Sequence, residues 1–470
     1  MKNFLFVLKI NRKEYFLFIL SFAICLIPIF LNINSLSEIL LMLSIIPILF
    51  LILLKPYFGI ISMAALLPFL SSSANVSMPE IVFSSLFVFI LFISLIKGIF
   101  RKSKIFKSSF LILAFFFILT ILLSFIPAIS NNVSGIFYIR RAFPFFLFLL
   151  LIPVFIEMES DGKAFKYILF TISAISLFNI FKIISDWYHN LGVIGGIVNL
   201  EQVRIAGNGI YLISLPIIVM AMLTSNKKRG IHNIILQILL FVSISALILS
   251  YTRSYWIGFL SSIIFLVIFL NNVDKNKIFK IIVIQSMIFA LIFLILLKFQ
   301  PIFSDKILSW VKARILSFEN LSSLLSVRGR LDEIKSILVV FPKSPIWGFG
   351  LGSTYDYYSI SPFAWGGIGY KQLFYSHNFY AYHLYATGII GLTAFLVFIT
   401  KPILISISTY KRYIENNIIT IYLAAIIFGL LFTSLTSPQF VDMPSNFYIG
   451  IFIGIILYNY KYGKLKINKI

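Results

Sequence analysis

The sequence predicts an all-α fold: a polytopic membrane helix bundle of about 12–14 transmembrane helices with a large, partly helical extracytoplasmic loop. Three observations predict it. Of 470 residues, 60% are hydrophobic and only 12% charged, against roughly 25% charged residues in soluble domains. Mean hydropathy is +1.01. Apolar stretches repeatedly reach the roughly 20 residues that cross a hydrocarbon core. We read residues 1–470 as a single membrane-embedded domain, with residues 300–376 as the large loop within it.

Taken in order, the apolar runs fall near residues 15–33, 38–54, 56–72, 81–97, 109–129, 137–156, 166–185, 207–223, 231–250, 255–271, 278–298, 379–399, 417–435 and 446–460. The third and sixth could instead be re-entrant. The first is followed by Asn32-Ile33-Asn34 and lacks a small-residue cleavage site, so it reads as a span and not a cleaved signal. Cys25 is the only cysteine, which excludes a disulfide and a cysteine-based metal site.

Charge sets the orientation. With Lys2, Lys9, Arg12 and Lys13 in the cytoplasm, every even-numbered span exits inward, and every following loop is basic. Those loops carry Lys55; Lys97 to Lys107; Lys163 and Lys166; Lys227 to Arg229; Lys275 to Lys280; Lys401 to Arg412; and Lys461 to Lys469. Basic residues collect on the cytoplasmic side. This accounts for the net charge of +23 without nucleic acid, which is not expected as a partner. Both termini are then cytoplasmic.

The outer side carries the exception. Its short loops hold Arg140 and Arg141, Arg204, and Arg253, and the large loop adds Arg314, Arg328 and Arg330. A single arginine there could snorkel to headgroups or cap a carbonyl. As a set, these planar, permanently charged forks point to an anionic ligand at the outer face, with a phosphate-bearing lipid as the natural candidate.

Within the large loop, residues 303–341 show helical periodicity, through Ile307, Val311, Ile315 and Phe318 and then Leu331, Ile334, Leu338 and Phe341. They predict two amphipathic helices at the interface. Trp347-Gly348-Phe349-Gly350-Leu351-Gly352 follows Pro345. Gly348 and Gly350 allow close backbone approach and exposed N–H groups for a bound ligand, although no Gly-Lys-Ser/Thr follows to make a P-loop. Tyr355, Tyr357, Tyr358, Phe363, Trp365 and Tyr370 form either a membrane belt or sugar-stacking surfaces.

His377-Asn378 begins span twelve at the outer mouth. A neutral imidazole there can take a proton from a sugar hydroxyl, and the bland alternative is a structural histidine paired with Asn378. No metal or other cofactor is expected. There is no His-x-x-x-His pair, and outer acidic residues are few, chiefly Asp186, Glu201, Asp305, Glu319, Asp332, Glu333, Asp356 and Asp442.

Three segments carry a resemblance to a known family. They are Ser250-Tyr251-Thr252-Arg253-Ser254; Arg330-Leu331 with an apolar helix and Pro345-Ile346-Trp347-Gly348-Phe349-Gly350; and His377-Asn378 followed by Gly388-Ile389-Ile390-Gly391-Leu392. In order and spacing they resemble the O-antigen ligase and O-antigen polymerase superfamily of bacterial envelope glycosyltransferases, over about residues 240–400. Family members often have a glutamate where this chain has Ala386. The resemblance implies a donor glycan on undecaprenyl diphosphate in the outer leaflet and metal-independent transfer with inversion. It implies His377, Arg330 and Arg253 as catalytic residues. Arg328, Arg204, Arg140, Arg141, Asn378, Gly348 and Gly350 are candidates for substrate binding.

The expected reaction is polymerisation of lipid-linked O-antigen repeat units. The alternative is ligation of the finished glycan to lipid A–core or another acceptor. A flippase is the rival from another class, but the mid-span segments are nearly free of the ionisable groups transporters keep there. The expected setting is the bacterial inner membrane, with the site facing the periplasm. The expected partners are the donor, a glycan or lipid A–core acceptor, membrane lipids and a chain-length regulator protein.

Overall fold

The computed structural model describes residue 49 and residues 52–70, 77–193, 208–225, 230–250, 252–299, 325–359, 369–412 and 418–463. The first predicted span, most of the second, Arg204, Arg314, Phe363 and Trp365 lie outside them, as does the first of the two amphipathic helices.

The remaining apolar runs fold as helices. They are α1 (Tyr57–Leu66), α2 (Met78–Phe100), α3 (Ser109–Leu123) with the short α4 (Phe125–Ser130), α5 (Gly135–Phe146), α6 (Leu151–Ser160) and α7 (Ala164–Val193). Next come α8 (Gly209–Ser225), α9 (Ile231–Leu249), α10 (Arg253–Phe269) and α11 (Asn272–Phe299). The second amphipathic helix is α12 (Leu325–Val340), and two antiparallel strands follow, β1 (Tyr355–Ser359) and β2 (Gly369–Leu373). The chain ends in α13 (Phe379–Arg412), α14 (Ile418–Thr433) and α15 (Met443–Tyr462). Seven of the described segments are long and apolar enough to cross a membrane. The protein is an all-α, multi-pass membrane bundle.

The third predicted span is a short helix, α1, ending in a tight turn at Leu67–Phe69. The sixth is not one helix. Pro144 lies inside α5, and Leu147–Leu150 tightens to 3-10 geometry before α6, as expected where proline removes a backbone donor. Against this break packs α15, buried along nearly its whole length. A Cβ on Gly450 would come within 2.4 Å of the Leu147 carbonyl oxygen, and one on Gly454 within 2.8 Å of Val154. A second seam joins α10 to α14. A Cβ on Gly258 would sit 2.0 Å from the Thr433 hydroxyl, and one on Gly429 2.1 Å from that of Ser262. Small residues four apart let helices approach closely where apolar burial gives no preference over lipid.

The bundle has two chemically distinct ends. At one, Lys55 pairs with Asp161 at 3.5 Å and Lys97 with the buried Glu157 at 2.9 Å. Glu159 there accepts from Ser103 and Tyr462, and Lys104 stacks 4.3 Å over the Tyr462 ring. The opposite end holds α12, the strand pair and the start of α13.

Candidate active site

The site is built where α12 meets the residues before α13. Asn378 caps α13: its side-chain oxygen accepts from the Ala381 N–H at 2.9 Å, and its amide donates to the Leu435 carbonyl at 3.0 Å. Both ends of that amide are engaged in protein contacts. The Phe379 N–H donates to Ser434 at 2.9 Å. The last turn before the helix is therefore held to the end of α14, and His377 is held with it.

Glu333, on α12, receives this turn. It is only 5% exposed. One carboxylate oxygen accepts from the His377 backbone N–H at 2.9 Å and from the Ser376 hydroxyl at 3.1 Å. The other lies 2.9 Å from Nδ1 of His377. An ionised carboxylate only accepts, so Nδ1 carries the proton and Nε2 presents its lone pair. The His377 side chain is 40% exposed, while the carboxylate that fixes its tautomer is buried. Glu333 falls three residues after Arg330, on the same side of α12. In the sequence Glu333 is only one of several outer acids. Its spacing from Arg330 was the available signal.

The arginines divide. Arg140 and Arg141 are inside α5, not in a loop as expected. Arg140 pairs at 3.1 Å with Glu80, a residue 5% exposed that also closes the capping box of α2. Arg141 lies over two rings, 4.4 Å from the centroid of Phe374 and 5.1 Å from that of Phe137. Its Nε is buried without a hydrogen-bond partner among the described residues. Phe374 is three residues before His377, and the Tyr375 ring, 5.6 Å from the imidazole, feels both Glu333 and Arg141. Burial, then the Glu333 charge, hold the Tyr375 phenol above its usual range, and Arg141 opposes them. Asp442 faces Arg141 from the start of α15. Its residue keeps some surface exposure, but its carboxyl is enclosed, and that desolvation raises it to about 7 against the pull of Arg141.

Arg253 is the first residue of α10. The seam that packs Gly258 against Thr433 carries Arg253 toward Ser434, and so to the His377 end. Arg330 is half-buried and Arg328 exposed near the start of α12.

The amides of the glycine-rich segment are engaged within the protein. Gly348 donates to the Ser344 carbonyl at 3.1 Å, Phe349 to Tyr385 at 2.8 Å and Gly350 to Ala386 at 2.8 Å, while Pro345 accepts from Ile389 at 2.9 Å. Apart from Ser344, the partners are the backbone of α13, which leaves helical geometry at Gly388, with φ 67° and ψ −170°. The kink frees carbonyls, and the loop satisfies them. A Cβ on Gly388 would stand 2.1 Å from the Ile346 carbonyl oxygen, and one on Gly348 2.5 Å from the Gly388 nitrogen. Close backbone approach is real here, but it is helix to loop. Ala386 is buried and gives its carbonyl to this interlock.

Among the described residues, no group of three or more His, Cys, Asp or Glu is arranged to hold a metal ion. The chemistry on offer is a half-exposed, oriented imidazole beside a partly buried arginine, at one end of a membrane bundle. Residues 238–396 match the family model for O-antigen ligase. Over this region the chain is similar to the O-antigen ligase and polymerase superfamily. The match covers about a third of the chain. It runs from α9 into α13 and contains Arg253, Arg328, Arg330, Glu333, His377 and Asn378. Arg140 and Arg141 lie outside it. No curated protein is similar enough in sequence to count as a relative.

Proposed function

We propose that this ligase/polymerase-type membrane protein is an inverting, metal-independent glycosyltransferase that joins undecaprenyl-diphosphate-linked O-antigen repeat units. The observation that carries the reading is the Glu333–His377 pair beside Arg141. Nε2 of His377 takes the proton from an acceptor sugar hydroxyl. That oxygen attacks the anomeric carbon as the bond to the diphosphate oxygen breaks, and the lipid diphosphate leaves. Arg253, Arg330 and Arg141 hold the leaving phosphates from the opposite side, with Arg328 at the rim. Arg140 anchors α5 to α2 through Glu80. Asn378 acts as the helix cap, not as a ligand. The reaction occurs on the periplasmic side of the inner membrane.

A general base contributes about 10²–10⁴-fold, and one donor to a developing oxyanion about 10²–10³-fold. Glu333 supports the first term by fixing the tautomer. The two aromatic faces under Arg141 support the second by holding a guanidinium in place without filling its hydrogen-bonding capacity.

The similarity to the O-antigen ligase family favours a second reading in which the acceptor is lipid A–core. One assay separates the two. Purified protein receives a lipid-linked donor with either a second lipid-linked repeat unit or lipid A–core. Chain growth on the first supports polymerisation. Transfer to the second alone overturns it in favour of ligation, and no transfer to either overturns both.

A further inference from the structure

The strand pair between α12 and α13 has two faces of opposite character. Tyr355 and Tyr357 point inward, 3% and 6% exposed, and pack with Ile337 of α12 and Tyr385 of α13. The Tyr355 hydroxyl donates to the Tyr375 carbonyl at 3.0 Å, and that of Tyr385 to Thr354 at 2.8 Å. The inner face thus bolts the hairpin to the turn that carries His377. The outer face holds the alternate residues in two cross-strand pairs, Asp356 opposite Gln372 and Tyr358 opposite Tyr370. The tyrosines are 47% and 84% exposed, and their rings meet edge to face at 5.0 Å.

An isolated two-stranded hairpin is marginal in water. This one is held by its inner tyrosines, which makes its outer face a rigid platform. Two exposed rings beside a carboxylate and a primary amide suit a neutral, hydroxyl-rich ligand. The C–H faces of pyranose rings cover aromatic surfaces, while Asp and Gln bond adjacent hydroxyls. A lipid-facing aromatic girdle would instead put apolar side chains beside the tyrosines, where this face carries Asp356 and Gln372. The platform is also continuous with the site. β2 runs from Tyr370 through Gln372 to Leu373, and the next residue, Phe374, is the ring under Arg141.

We propose that Asp356, Tyr358, Tyr370 and Gln372 form a carbohydrate-binding subsite that holds the glycan being extended or transferred, at sugars beyond the one that reacts at His377. This rests on the glycosyltransferase reading above. Because the platform grips the chain and not the reacting bond, it should set KM for the glycan and leave kcat alone. It should also bind lipid-free glycan in a catalytically dead protein.

The probe is the oligosaccharide released by mild acid from the host strain's own surface polysaccharide. Binding is followed by saturation-transfer NMR with the full-length protein in detergent, in wild type, His377→Ala and a Tyr358→Ala/Tyr370→Ala double variant. Wild type and His377→Ala should bind alike. The double variant should bind at least about tenfold more weakly, as expected for two lost aromatic contacts, and Tyr358→Trp should retain binding. In turnover, the double variant should raise glycan KM by a similar factor at unchanged kcat. Equal glycan binding in the double variant and wild type overturns the subsite and leaves the catalytic reading intact. Tyrosine-dependent binding in a wild-type protein that performs no transfer supports the subsite and removes the catalytic reading. Unchanged glycan binding with weaker partition into liposomes would make the pair a membrane anchor and end the proposal.

Discussion

At the residue scale, the reading turns on what surrounds His377. His377→Ala should fold and bind donor yet lose about 10²-fold or more in transfer. Glu333→Gln is the sharper probe, because Glu333 touches the imidazole and not the reacting atoms. An amide can donate to Nδ1 as well as accept, so the tautomer is no longer fixed. We expect kcat to fall by about tenfold or more, with donor KM unchanged and an altered pH–rate profile. A purely structural role would lower stability and leave that profile as it was. His377 was legible in the sequence as a histidine at a helix start beside asparagine. Its partner was not, because Glu333 lies 44 positions away and only folding joins them. Arg140 and Arg141 are indistinguishable in sequence, yet one is paired with Glu80 and the other rests on Phe137 and Phe374. Asp442 adds a pH dependence whose sign follows from its raised pKa. Below about 7 it is protonated and leaves Arg141 its full positive field. Above that value it ionises and competes with an anionic ligand. Affinity for the lipid diphosphate should therefore fall as pH rises through about 7, and Asp442→Asn should flatten that fall. A titration in which both proteins lose affinity in parallel would remove Asp442 from the account.

At the element scale, the apolar runs were legible because a lipid-facing helix needs length and hydropathy and little else. Twelve of the fourteen runs have a helix at their position, if not always a straight one. The break in α13 and its plug were not legible. Glycine declares backbone freedom, but not which backbone will come close. Gly348 and Gly350 satisfy that freedom against Tyr385, Ala386 and Gly388 rather than against a phosphate. Gly388→Ala should consequently act on folding: the φ of 67° disfavours a side chain, and its Cβ would meet the Ile346 carbonyl at 2.1 Å. A side chain at φ 67°, ψ −170°, a backbone region kept almost entirely for glycine, costs about 1–3 kcal/mol, and the clash adds to it. A lower unfolding midpoint in detergent, with residual enzyme of normal donor KM, is the expected result. Normal stability with lost donor binding would return the loop to the ligand. The strand pair escaped sequence reading because its alternation, Tyr355 and Tyr357 inside, Asp356 and Tyr358 outside, is only a few residues long and its two halves lie ten residues apart.

At the scale of the whole molecule, the sequence's charge asymmetry has a counterpart in the two ends of the bundle. Lys55, Lys97 and Lys104 gather at one, with Asp161, Glu157 and Tyr462. His377, Glu333 and Arg141 lie at the other. Orientation follows if the lysine end is cytoplasmic. In a Cys25→Ser background, Lys335→Cys on the exposed side of α12 should react with a membrane-impermeant maleimide from the periplasm, and Lys102→Cys should react only after the inner membrane is opened. The reverse pattern would put the site on the wrong side for a lipid-linked glycan in the outer leaflet. The central claim is transfer by a protein base without a metal. The measurement is product formation from a defined lipid-linked donor in excess EDTA, with wild type and His377→Ala compared at equal folded concentration. We predict undiminished wild-type turnover and a loss of about 10²-fold or more in the variant. Full activity in His377→Ala, or wild-type activity abolished by EDTA and restored by a divalent ion, would contradict it.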